Sequence, residues 1–254
     1  MRLFDCFTYN GESKMLNFRL EELHLVIDYF IIVEANWTFK GDPKPLKFDI
    51  SKYEKFKDKI IYKICDTPSV KNPWQNEGNQ RYFFLEGLKQ LDLKDNDLIL
   101  ISDVDEIPDI KNLIEFKEKG FTGAKTFYQN FYYYNYKCRN IKKWHGTVIS
   151  DTLTFKNIFK SNAEIARQSR WRLPLIGNNY ESGGWHFSYF GDIKYIINKI
   201  QSFSHQEYNN DKYTNPQKIK ELIKNGKDLF FRENERFQKL DDQIYLPKNI
   251  HLLD

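Results

Sequence analysis

The chain has 254 residues, 41% of them hydrophobic, enough to bury the core of one α/β domain or of one domain with a fused lobe. Its 39 basic and 35 acidic residues are interspersed and leave a net charge of +4, so charge points to no nucleic-acid partner and is compatible with anionic substrates or peripheral contact with a membrane. No apolar run reaches membrane-spanning length, the start is too quickly polar for a signal peptide, and three widely spaced cysteines fit free thiols, so a soluble, cytoplasmic protein is expected.

Residues 3–7 read as a first strand, followed by a polar loop through Asn10 and Glu12. Leu16, Leu20, Leu23, Ile27 and Phe30 form a helical stripe, which predicts a helix over residues 14–29 with Ser13 as its cap. A second strand over 30–33 ends at Glu34, and 35–48 is loop, broken by Gly41, Pro43 and Pro45. A third strand is expected over 60–64, a helix over 79–91 and a fourth strand over 98–102. Alternating strands and helices imply a doubly wound, mostly parallel sheet, whose ligands bind at the carboxyl ends of the strands. The second half begins with an aromatic run over 126–136. A strand is expected over 148–155, helices near 163–170, 192–202 and 216–231, and a polar tail wrapping the surface after about residue 232. One domain is expected over 1–254, with a nucleotide-binding half to about residue 110 and an acceptor half beyond.

The most informative stretch is Leu98-Ile99-Leu100-Ile101-Ser102-Asp103-Val104-Asp105-Glu106-Ile107-Pro108. A buried parallel strand ends abruptly in three acids, and unpartnered carboxylates are costly to bury, so these belong at an open edge. In extended chain Asp103 and Asp105 point to the same side, where two oxygen ligands suit a hard divalent cation. An Asp-x-Asp is common on surfaces. The preceding strand favours instead a metal bridging the phosphates of a nucleotide diphosphate. A phosphohydrolase would use the same acids.

The run 102–108 resembles the metal motif of glycosyltransferase family 17, the bisecting N-acetylglucosaminyltransferase family. Further segments are similar in the same order. They include Phe4-Asp5-Cys6-Phe7 with Asn10-Gly11-Glu12, Ile32-Val33-Glu34-Ala35 with Lys44-Pro45-Leu46, and Gln80-Arg81. Trp144 with Gly146-Thr147, then Gly184-Trp185-His186-Phe187-Ser188-Tyr189-Phe190-Gly191, then Lys199 with Ser202-Phe203-Ser204-His205, complete the series. The resemblance implies a GT-A-type Rossmann-like fold, a UDP-sugar donor with UDP-N-acetylglucosamine foremost, a glycan acceptor, and inverting transfer with Mn2+ or Mg2+.

On that resemblance Asp105 is the direct metal ligand, Asp103 holds the ribose or the metal through water, and His186 completes the site. Glu106 orients the loop. The alternative for His186 is packing between Trp185 and Phe187. Phe7 or Tyr9 stacks on the base, or packs in the core. Glu34 lies by the ribose. Arg81 pairs with the diphosphate, or sits on a solvated helix face. Lys199 and His205 are phosphate contacts by resemblance only. Inverting transfer needs one general base; Glu181, just before Gly183-Gly184, precedes Glu164 and Asp151 as a candidate. Tyr132, Tyr133 and Tyr134 form an acceptor wall or a lobe core, with Trp144 and His145 at the same mouth. Arg167, Arg170 and Arg172 form a solvated helix end or a site for an anionic acceptor. The aromatic content of 17% also suits a carbohydrate-binding protein without catalysis.

Overall fold

The computed structural model describes residues 1–177, 182–239 and 245–254. β1 (Leu3–Tyr9), β2 (Tyr29–Ala35), β3 (Ile60–Cys65) and β4 (Leu98–Asp103) lie in the order β3-β2-β1-β4, all parallel. β1, β2 and β4 bury both faces, while the edge strand β3 is partly exposed. Leu3, Phe7, Phe30, Ile32, Leu98 and Leu100 enter one core, where α1 (Ser13–Leu23) lays Leu16, Leu20 and Leu23. Phe4, Cys6, Ile31, Val33, Ile99 and Ile101 enter the other, beneath Phe84 and Leu88 of α3 (Phe84–Leu88). This two-sided burial is why the strands read as continuous apolar runs without alternation. The result is the expected mixed, Rossmann-like α/β fold.

Several boundaries differ from the sequence reading. α1 stops at Leu23 because the chain must turn back to start β2. Asp28 N donates to Leu3 O, and the Lys59 ammonium takes the freed carbonyls of His24 and Ile27 at 2.7 and 2.8 Å. The helix expected over 79–91 is two: α2 (Pro73–Tyr82), capped by the Asn72 side chain, and α3, pressed close onto β2 at Gly87. Beyond β4 the sheet turns antiparallel. β4 pairs with β8 (Trp144–Asp151), β8 with β6 (Ala124–Tyr133), β6 with β7 (Cys138–Asn140), and β7 with β11 (Phe237–Lys239). The strand expected over 148–155 ends at Asp151, whose carboxylate accepts from Thr154 N and starts α5 (Thr152–Asn157).

Short elements close the edge. β5 (Glu106–Pro108) pairs with β10 (Gly184–Ser188), and β9 (Leu175–Ile176) and β10 both run parallel to β6. α4 (Ile110–Lys119), capped by Asp109, was not expected from sequence. α6 (Ala163–Gln168) joins α5 over the second core. A third cluster packs Ile196 and Ile200 of α7 (Ile193–Ser202) and Ile219 and Leu222 against Phe131, Tyr133 and Tyr134. α8 (Asp211–Thr214) precedes α9 (Pro216–Asn225), which ends at Gly226 in the left-handed region (φ +60°) rather than running to 231. Among the described residues no helix is long and apolar enough to cross a membrane.

Candidate active site

The carboxyl ends of β1 and β4 open into one cleft of about 590 Å3, closed on its far side by β6, β10 and α7. Asp103 ends β4 opposite Thr8 of β1. The chain then turns at Val104 and Asp105 into β5, which pairs with β10 so that Glu106 stands opposite His186. Phe187 N donates to Asp105 O at 2.9 Å. Gly184 makes this possible: at φ +115°, a Cβ there would lie 2.2 Å from Ile107 O. The β5–β10 pairing thus delivers a histidine from late in the chain onto the acidic turn.

Asp105 Oδ1 lies 3.6 Å from His186 Nε2, and its Oδ2 accepts from Lys199 Nζ at 2.8 Å. Burial alone would raise the Asp105 carboxyl, but Lys199 and His186 outweigh it and hold it well below the usual carboxylate range. Burial likewise disfavours the Lys199 ammonium, and Asp105 more than offsets this, holding it well above the ordinary lysine value. The His186 ring stacks on Phe131 (4.8 Å, 8°) and tilts against Trp144 (5.0 Å, 38°), not between Trp185 and Phe187. Its Nδ1 is buried without a partner among the described residues.

Asp103 is held differently. Arg81 donates to its Oδ1 at 2.9 Å and Arg167 to its Oδ2 at 3.1 Å. Burial raises this carboxyl too, and the two guanidinium groups push it far below the usual range. Arg81 also pairs with Glu77 and Glu164, and Arg167 with Glu106. Glu106 accepts from Trp144 Nε1 at 2.6 Å and from Asp103 N at 3.3 Å, which ties the loop as expected.

Beneath the turn lies Arg19. It forms a fully buried pair with Asp5, bonds Ser102 Oγ at 2.6 Å, and donates to the carbonyls of Asp103, Val104 and Glu106. Sequence reasoning missed this residue. Its one signal was a charge inside the apolar stripe of Leu16, Leu20 and Leu23.

The geometry separates the expected site residues. Asp103, Asp105, His186, Lys199, His205, Tyr9, Arg81, Tyr133 and Trp144 line the one cleft. Tyr9 and Tyr133 are almost wholly covered, at 2% and 1% exposure. His205 stands edge-on to Trp74 (4.6 Å). Arg81 is no solvated face, being buried with all its charge spent on carboxylates.

Other expectations are corrected. Phe7 lies in the core, with the Arg19 guanidinium 4.5 Å from its ring, and cannot stack on a base. Glu34 is fully buried and folds the following loop down: it accepts from Lys44 Nζ (2.8 Å), Lys47 N (2.9 Å), Phe48 N (3.0 Å) and Tyr62 Oη (3.0 Å). Tyr132 is buried against Phe187, because alternation along β6 turns it away from the cleft. Tyr134 is also covered, its hydroxyl bonded to Lys227 O. Asp151 pairs with Leu98, at the far end of β4 from Asp103, and serves as a helix cap. Glu164 is consumed by Arg81 and lies outside the cleft. Glu181 lies outside the described residues.

Among the described residues, no three acidic, histidine or cysteine side chains form a preformed metal cage. Asp103 is unsuited as a direct ligand, since both its oxygens face arginines. Asp105 and His186 do fit a divalent cation: one carboxylate and one imidazole at one cleft edge suit Mn2+. Two protein donors suffice where phosphate oxygens and water fill the remaining positions.

Curated relatives match part of the chain. The human and rat enzymes named beta-1,4-mannosyl-glycoprotein 4-beta-N-acetylglucosaminyltransferase are each 31% identical over 116 residues, 42% of this chain. That match spans 22% of their own length. A 2-C-methyl-D-erythritol 4-phosphate cytidylyltransferase from Francisella tularensis superposes with a TM-score of 0.39 at 13% identity, covering 69% of this chain and 89% of its own. The sequence pattern of glycosyltransferase family 17 matches residues 1–246, nearly the whole chain, and the protein therefore belongs to glycosyltransferase family 17.

Proposed function

We propose that this protein is a metal-dependent, inverting glycosyltransferase that moves N-acetylglucosamine from UDP-N-acetylglucosamine onto a hydroxyl of a glycan. The observation that carries the reading is Asp105, His186 and Lys199 converging at the carboxyl edge of β4 in a chain of this family. The names of the partly matching relatives support the donor sugar.

The nucleotide enters over the ends of β1 and α2, where Thr8, Asn10 and Gln80 offer polar contacts and Trp74 a ring face. Asp105 and His186 would hold a divalent cation, which when bound supplies positive charge against the departing diphosphate. Lys199 remains protonated across the working pH range and adds a second fixed charge at the same point. Asp103, neutralised by Arg81 and Arg167, holds the β4 edge rigid so that these groups need no rearrangement. Trp144 and Trp171, 5.9 Å apart, form an aromatic wall toward which an acceptor sugar stacks.

The test is UDP release from UDP-N-acetylglucosamine, with and without Mn2+, by wild type and Asp105→Ala. The reading expects Mn2+-dependent release by the wild type alone. Equal release by the variant would refute the metal assignment, and no release by either would refute the transferase assignment.

A further inference from the structure

Inverting transfer needs a carboxylate that faces the acceptor and is free to accept a proton. A carboxylate already locked by a cation is a poor base, because the pair stabilises its ionised form. The carboxylates lining the cleft, among the described residues, are Glu12, Glu77, Asp103, Asp105 and Glu235. Glu77 is bound by Arg81 and by Ser204. Asp103 is bound by two arginines, and Asp105 by Lys199 and His186. Glu12 follows β1, on the nucleotide side, with Oε2 tied to Asn10 N at 2.7 Å.

Glu235 differs from Glu77, Asp103 and Asp105 in forming no ion pair with a described residue, which Glu12 also lacks, and from Glu12 in its place in the sheet. It is half-buried, and the neighbouring Arg232, which feels its charge, is committed to Asp228 at 2.7 Å. A neutral donor, Asn140 Nδ2, fixes its Oε2. It precedes β11, on the β6-β7-β11 wall, so the strand order places it on the other side of β4 from β1. The adjoining Phe237 packs on Phe131, which stacks on His186. Glu235 therefore shares the aromatic wall of the acceptor end with the His186 stack.

We propose that Glu235 is the general base of the reaction, an assignment that rests on the transferase reading above. The acceptor O–H gives its proton to Glu235 as its oxygen bonds the anomeric carbon. The bond from that carbon to the diphosphate oxygen breaks, and UDP leaves with the electron pair. Asn140 is a positioning residue that holds the carboxylate.

The experiment measures UDP release from UDP-N-acetylglucosamine with Mn2+, water serving as acceptor, for wild type, Glu235→Gln, Glu235→Asp and Glu181→Gln. UDP-induced thermal stabilisation is read in parallel. Glutamine keeps an oxygen for Asn140, so Glu235→Gln should retain the UDP-induced shift while losing about 100-fold or more in rate. The acid limb of the wild-type pH–rate profile should vanish in Glu235→Gln and persist in Glu235→Asp. Wild-type release by Glu235→Gln would overturn the assignment, as would loss confined to Glu181→Gln. Loss of UDP-induced stabilisation in both Glu235 variants would make the residue structural and overturn it too. Absence of UDP release from the wild type would overturn the transferase reading and this assignment with it.

Discussion

The imidazole of His186 and the carboxylate of Asp105 stand 3.6 Å apart, although they come from distant parts of the chain. The β5–β10 pairing sets this separation, and Gly184 permits the close approach of the two strands. Lys199 reaches the same carboxylate from α7. One acid thereby gathers an imidazole and an ammonium group at the mouth of the cleft.

Substituting Asp105 by Asn should separate binding from folding. The side chain lies at the cleft edge, so the fold should persist, while Mn2+-dependent UDP binding should fall by a factor of roughly 10–100, the scale for a perturbed metal-site residue. His186→Ala should show the same loss of metal dependence. Titration of UDP with and without Mn2+ checks both, and unchanged metal dependence in either would remove that residue from the site.

Arg19 should matter for stability more than any exposed charge. Its pair with Asp5 is fully buried, and it holds three carbonyls of the acidic turn. Arg19→Met leaves the Asp5 carboxylate uncompensated, which should cost roughly 3–5 kcal/mol. Adding Asp5→Asn to that variant should restore part of the loss. Urea midpoints of Arg19→Met, Asp5→Asn and the double variant measure this, and an additive double variant would deny the coupling.

How much of this could be read from the sequence depends on whether a residue announces its surroundings locally. Asp105 did, because acids after an apolar run mark a strand edge whatever lies elsewhere. Arg19 and Arg167 did not, since their value comes from partners distant in sequence that only tertiary packing supplies. Phe7 and Tyr132, open in sequence between a ligand contact and the core, lie in the core for a different reason. Strand alternation fixes which residues share a face but not which face meets the cleft, and on β1 the face of Phe7 meets α1. Glu34 ends a strand, which suggests a ligand contact, yet Lys44, Lys47 and Phe48 of the following loop and Tyr62 of β3 all bond its carboxylate.

The carboxylates of Asp103 and Asp105 predict acid behaviour with a definite sign. Both have folded-state values depressed below the unfolded value of about 3.9. Such groups contribute stability that is present above the unfolded value and lost as pH falls through the folded one. Stability should therefore decline below about pH 4 through these groups, not between pH 5 and 8. Asp103→Asn should be less stable than wild type near neutrality and converge with it in acid. Parallel curves at all pH values would show that the arginine contacts do not act on the titration.

Glu34→Gln provides a contrast with the cleft residues. It weakens acceptance from Lys44 and from two backbone N–H groups at a buried position, at a cost of roughly 3 kcal/mol. Because Glu34 does not line the cleft, UDP release at a temperature where the variant is folded should match wild type. A specific loss of donor affinity would return Glu34 to the ribose site.

Trp171 tests the acceptor wall. The ring is 54% exposed, beside Trp144, His145 (4.7 Å) and the Arg170 guanidinium (5.0 Å). An exposed tryptophan contributes little to folding, so Trp171→Ala should change stability by no more than about 0.5 kcal/mol. If a sugar ring stacks there, losing roughly 1 kcal/mol of contact should raise KM for an oligosaccharide acceptor about fivefold. That contact is made equally in the ground and transition states, so kcat should hold. Donor-only UDP release should be untouched, because on this reading Trp171 contacts the acceptor and not the donor. A matched fall in kcat and kcat/KM with acceptor KM unchanged would place Trp171 at the reacting centre instead, and an unaltered profile would take the acceptor off this wall.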